Sequence, residues 1–175
     1  MKFFSQIRLL LAAIWLGAAI FFIFVAQSSF AVLPERELAG LVVNRTLALI
    51  NYGGLAIAIL MLLTSIIGQS ITNKAWLWIE RFLWLIVAAA CAVGQFVIAF
   101  WLSLIRQEIG KPIDAIAADD PLRIQFNTMH KYSEWLLMTA MIAAFLAFFI
   151  AANRTFFRKP TDNVTEFDFQ KEFKI

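Results

Sequence analysis

LLLAAIWLGAAIFFIFVAQSSFAVL, residues 9–33, runs for 25 residues without a charged side chain. A hydrocarbon layer about 30 Å thick is crossed by about 20 residues of helix, so this stretch reads as a membrane span. Working outward, three more uncharged runs follow at 46–73, 82–105 and 135–153, of 28, 24 and 19 residues. The chain is 62% hydrophobic and 15% charged, against roughly 45–50% and about 25% for a soluble domain. The four runs take more than half of the 175 residues, which leaves no room for a soluble catalytic or nucleotide-binding module. The expected fold is all-α: a four-helix transmembrane bundle over residues 1–159, with spans at about 9–33, 41–67, 76–105 and 124–153, then a flexible cytoplasmic tail over 160–175.

Residue counts narrow the chemistry. Cys91 is the only cysteine and His130 the only histidine. A thiol pair for redox relay is therefore excluded, as is a haem held by two histidines of one chain. The net charge of +3 comes from fifteen Lys and Arg that mostly flank the spans, where topology explains them and nucleic acid is not needed. No cofactor is expected, and the bilayer is the expected surrounding partner.

With four crossings, nine of the fifteen basic residues fall on the side of the termini, among them Lys74, Arg81, Arg154, Arg158 and Lys159, and six on the other. The positive-inside rule places both termini in the cytoplasm, in the inner membrane if the cell is bacterial. Lys2 and Arg8 before the first run, with Ser29-Phe30-Ala31 near its end, also resemble a cleaved signal peptide. The apolar core from Leu9 to Val25, 17 residues, exceeds the roughly 7–15 of such a signal, which favours a retained span.

Breakers mark the helix ends. Pro34 and Gly68 predict a second helix over 34–67, about 51 Å long at 1.5 Å per residue. Thr72 or Asn73 would cap the third helix, and Gly110 and Pro112 would stop it. Asp120-Pro121 opens a fourth that runs to about residue 157. Helices two and four are thus expected to project beyond the outer membrane surface. Small-residue pairs at spacing four, which let helices approach, occur in every span: Ala13 and Gly17, Gly54 and Ala58, Ala90 and Gly94, Ala140 and Ala144. Gly53-Gly54 beside Asn51 and Tyr52 marks a close crossing or kink.

Polar groups within membranes are where function is sought first. Gln95 and Cys91, one turn apart, suggest an intramembrane polar contact. No Asp, Glu, Lys or Arg falls at the centre of a span, which argues against a proton-coupled exporter. The richest cluster opens helix four: Arg123, Phe126, Asn127, His130, Ser133 and Glu134. Asn127, His130 and Glu134 share a face, and Glu134 would orient the imidazole. With Met129, and with Glu35 and Glu37 of helix two, His130 and Glu134 are candidate ligands of an external cation or copper ion. The competing reading, which the single histidine favours, is a network that fixes the projecting helix ends and the charges of Arg36 and Arg123. Acceptor triplets for glycosylation at Asn44, Asn153 and Asn163 are discounted, two of them being cytoplasmic by this topology. The tail, with Phe167, Phe169 and Phe173 among acids, reads as disordered or as a short partner-binding peptide.

Trp15-Leu16-Gly17, Phe30-x-x-Leu33-Pro34 with Leu38-Ala39-Gly40, and Asp119-Asp120-Pro121-Leu122-Arg123 leading into Phe126-x-x-x-His130-x-x-Ser133 together resemble the transmembrane protein 205-like family of uncharacterised four-helix membrane proteins. The resemblance spans about 8–152. It implies four spans, a turn at Ala39-Gly40, and a set of Arg123, Phe126, His130 and Ser133 at the entrance of helix four. One eukaryotic member is associated with resistance to platinum drugs. Glu134 after Ser133, and the phenylalanine-rich tail, depart from the family pattern.

No nucleophile with an adjacent base and no phosphate-cradling glycine loop is visible, so a non-enzymatic role is expected. The favoured function is a structural or accessory component of a membrane assembly, with other membrane subunits or further copies of itself as partners. The alternative is transport or metal-ion handling through the outer face around His130.

Overall fold

The computed structural model describes residues 2–67 and 74–156. Its long helices are α1 (Lys2–Val32), α2 (Arg36–Ile67), α3 (Lys74–Ala92), α4 (Ala99–Ile109) and α5 (Pro121–Phe156). A single π turn, Val93–Ile98, joins α3 to α4, so that the two form one continuous 36-residue span. Four helical segments are long and apolar enough to cross a membrane: Phe3–Val32, Arg36–Ile66, Lys74–Ile109 and Pro121–Asn153. This is a multi-pass, all-α membrane architecture, and no strand occurs among the described residues.

Local chemistry explains the helix ends. The Asp120 carboxylate accepts from the Leu122 N–H at 2.8 Å, and its carbonyl accepts from Ile124, making it the N-cap of α5 with Pro121 in the first turn. Gly110 ends α4 at φ 60°, a left-handed conformation that costs a residue without Cβ little. The expected start of α2 shifts: Pro34 lies before the helix, and the first helical acceptor is the Glu35 carbonyl, bonded to Ala39 N–H at 3.2 Å. The expected caps Thr72 and Asn73, and the tail over 160–175, lie outside the described residues.

The helices form a ring in which α1 packs on α2, α2 on α3, α3 on α5, and α5 back on α1. The inward stripe of α1 is Ala12, Trp15, Leu16, Ala19 and Phe22, which meets Val43, Ile50, Ala58 and Met61 of α2, Trp84, Val87, Ala90 and Cys91 of α3, and Leu137, Ala140, Ala143, Ala144 and Ala147 of α5. Three of the four small-residue pairs face this interior. The fourth does not: Ala13 and Gly17 lie on the exposed side of α1, and a Cβ at Gly17 would meet nothing within 4 Å.

Gly54 shows why small residues matter here. The buried Trp15 indole donates from Nε1 to the Ile50 carbonyl at 2.9 Å. A Cβ at Gly54 would sit 2.8 Å from the Trp15 ring and 2.7 Å from Cys91 Sγ. The glycine therefore admits an aromatic ring from α1 and a thiol from α3 to the same point on α2. Gly54→Ala is expected to destabilise the bundle by about 1–3 kcal/mol through overpacking. Gly17→Ala should leave stability unchanged or slightly raised, and thermal unfolding of the two variants in detergent distinguishes them.

Candidate functional site

Polar groups gather at both ends of the bundle. At the end where α2 stops and α3 begins, Glu80 is fully buried, 0% exposed, and its Oε1 accepts from Arg8 Nη2 at 2.8 Å. Arg8 Nη2 also reaches the Met61 carbonyl at 3.3 Å, and Nε lies 3.4 Å from Met61 Sδ. One ion pair thus ties α1, α2 and α3. Beside it, Arg81 donates from Nε to Ser65 Oγ and from Nη2 to the Ser65 carbonyl, both at 2.9 Å, while its guanidinium lies 5.8 Å from the centre of the Trp78 ring. This layer is not anticipated from the sequence, where Arg8 stands only as a charge before the first run. The available signal is a carboxylate set within the apolar and aromatic run Trp76, Trp78, Phe82, Trp84.

At the opposite end, Asp114, on the connection between α4 and α5, receives Arg36 Nε at 3.5 Å and Arg123 Nη2 at 3.8 Å. Arg123 also donates to the Ile116 carbonyl. The starts of α2 and α5 are therefore fastened through the connection. The acceptor Asp114 is not among the sequence candidates.

His130 Nε2 stands 3.4 Å from Glu134 Oε1, and its ring lies parallel to Phe126, centroids 6.3 Å apart at 5°. Phe126 and Ser133 are buried, and Asn127 is exposed. Met129 turns to another face, where with Val97, Ile98, Trp101, Gln125 and Tyr132 it lines an open cleft of about 320 Å³. Glu35 and Glu37 are not brought to His130: among the described residues no group of three or more His, Cys, Asp or Glu is placed to hold a metal ion.

No hydrogen bond joins Gln95 to Cys91 among the described residues. Cys91 is buried against Gly54, while Gln95 sits inside the π turn, where the Ala99 N–H bonds to the Gly94 carbonyl. Gly94 abuts the buried Asn51 carboxamide, whose Nδ2 would lie 3.3 Å from a Cβ there. Gln95 Oε1 and Trp84 Nε1 are buried without a hydrogen-bond partner among the described residues.

A family model described as a domain of unknown function, DUF4149, matches residues 10–110. The chain belongs to that family. Comparison with curated proteins and with solved structures finds no match. The DUF4149 region takes in Trp15, Gly54, Glu80, the π turn and Arg106, and ends before α5, so His130 and Glu134 lie beyond it. The match carries no finer name, and the transmembrane protein 205-like label gains no support from it.

The two ends should respond differently to mutation. Glu80→Leu leaves Arg8 without its carboxylate in a buried setting and is expected to cost about 3–5 kcal/mol, whereas Arg8→Met with Glu80→Leu should recover most of that loss. His130 and Glu134 side chains are 49% and 63% exposed, so Glu134→Gln should change stability by less than about 1 kcal/mol. Chemical denaturation in detergent measures all three.

Proposed function

We propose that this DUF4149 protein is a non-enzymatic structural or accessory component of a membrane assembly. The observation that supports this most is how the interior polar groups are used: Arg8 on Glu80, Arg81 on Ser65 and Trp15 on Ile50 each bond one helix to the next. Side chains engaged in this way hold the bundle together. The remaining surface is broad and apolar, with Trp78, Phe82, Trp135, Ile142 and Phe145 all exposed, suited to lipid and to neighbouring membrane subunits. In this reading both termini face the cytoplasm, the protein lies in the inner membrane if the cell is bacterial, and it is similar to the transmembrane protein 205-like proteins. Helices α2 and α5, of 32 and 36 residues, exceed the roughly 20 needed to cross and project from the outer surface.

A second reading, metal-ion handling or transport at the outer face, draws on the contact between His130 and Glu134. Gentle extraction from native membranes followed by native mass spectrometry separates the two. The accessory role predicts co-purification with stoichiometric partners. Isolation as a lone chain that loses bound metal on His130→Ala would replace it with the second reading.

A further inference from the structure

Arg106 lies in the last turn of α4, half-buried, just before Gly110 ends the helix. Its guanidinium carbon is 5.3 Å from the centre of the buried Phe126 ring. A cation held over a ring in this way does not use up its N–H donors. Arg8, Arg36, Arg81 and Arg123 each have a carboxylate, hydroxyl or carbonyl acceptor. Arg106 has none among the described residues, although it is more enclosed than the exposed Arg45.

Gly40 borders the open edge: a Cβ there would come within 3.3 Å of Arg106 Nη2. Glu37, one turn before Gly40 on the same face of α2, is near enough for its charge to act on Arg106. It makes no ion pair with it, nor with any other described residue. A cation with free donors and an anion with free acceptors thus flank a glycine, apart from one another, at the end of a membrane span. Lipid headgroups lie at that level, just beyond the hydrocarbon. A group carrying both charges, a phosphate diester and an ammonium a few bonds apart, satisfies both side chains at once. A simple anion satisfies Arg106 alone and meets repulsion from Glu37.

We propose that Arg106 and Glu37 form a binding site for a zwitterionic phospholipid headgroup, with phosphate on the guanidinium, ammonium on the carboxylate, and Gly40 letting the guanidinium lie close against α2. The site rests on neither reading of the protein's wider role.

The test uses the full chain in a non-ionic detergent, titrated separately with phosphatidylethanolamine, phosphatidylglycerol and inorganic phosphate. Native mass spectrometry reads bound lipid, and thermal unfolding reads stabilisation. Wild type is expected to retain phosphatidylethanolamine in preference to phosphatidylglycerol. Arg106→Gln should lose both lipids. Glu37→Gln alters an exposed side chain and so preserves the fold, and it should weaken phosphatidylethanolamine by about tenfold, the scale of one charge-assisted hydrogen bond, without weakening phosphatidylglycerol. Equal retention of phosphatidylethanolamine by wild type and Glu37→Gln overturns the proposal. Stabilisation by inorganic phosphate that matches that by lipid assigns the site to a free anion and overturns it as well.

Discussion

Close approach of helix backbones is the constraint on which this bundle depends. Hydrocarbon solvates a leucine as well as another leucine does, so burying apolar surface between helices gains little inside a membrane, and contact density and hydrogen bonding must hold the helices together. The meeting of Trp15, Gly54 and Cys91 satisfies that constraint at one point for three helices. The indole N–H, which would otherwise lack an acceptor in hydrocarbon, takes the second lone pair of the Ile50 carbonyl. Ala58 and Ala144, both 0% exposed, extend the same tight spacing along α2 and α5.

Polar chemistry is then distributed by depth. The middle of the bundle holds neutral groups only: Asn51, Cys91 and Gln95. Charges appear toward the ends, and there they work in opposite ways. Arg8 and Glu80 are drawn inside and locked among three helices. Arg36, Asp114 and Arg123 remain accessible and fasten a connection rather than a core. Buried pairs of the first kind contribute most to defining a single arrangement, because any other packing strands a charge.

What the sequence reveals follows the range of each interaction. Spans and their ends are legible because uncharged runs, Asp120-Pro121 and Gly110 act within a few residues. The proximity of His130 to Glu134 is legible for the same reason, being one helical turn. Arg8 and Glu80 lie 72 residues apart, so nothing local joins them. Spacing alone also fails to say which face of a helix a motif occupies: Ala13 and Gly17 have the same separation as Gly54 and Ala58 yet point away from the bundle. The π turn is not legible either, since VGQFVI gives no compositional sign that the helix there is irregular.

That irregular turn bears on everything after it. A π turn amounts to one residue inserted into an α-helix, and each residue advances the helix by about 100°. From Ala99 onward the third span therefore presents a face that an uninterrupted helix would direct elsewhere, and Arg106 meets Phe126 and Gly40 because of it. The angular aim of α4 is encoded as a count of residues rather than as a choice of side chains. Relaxation of the turn to regular α-helix with every residue kept would swing that whole face by about 100°, whereas loss of a single codon between 93 and 98 would remove the bulge and leave α4 aimed as it is.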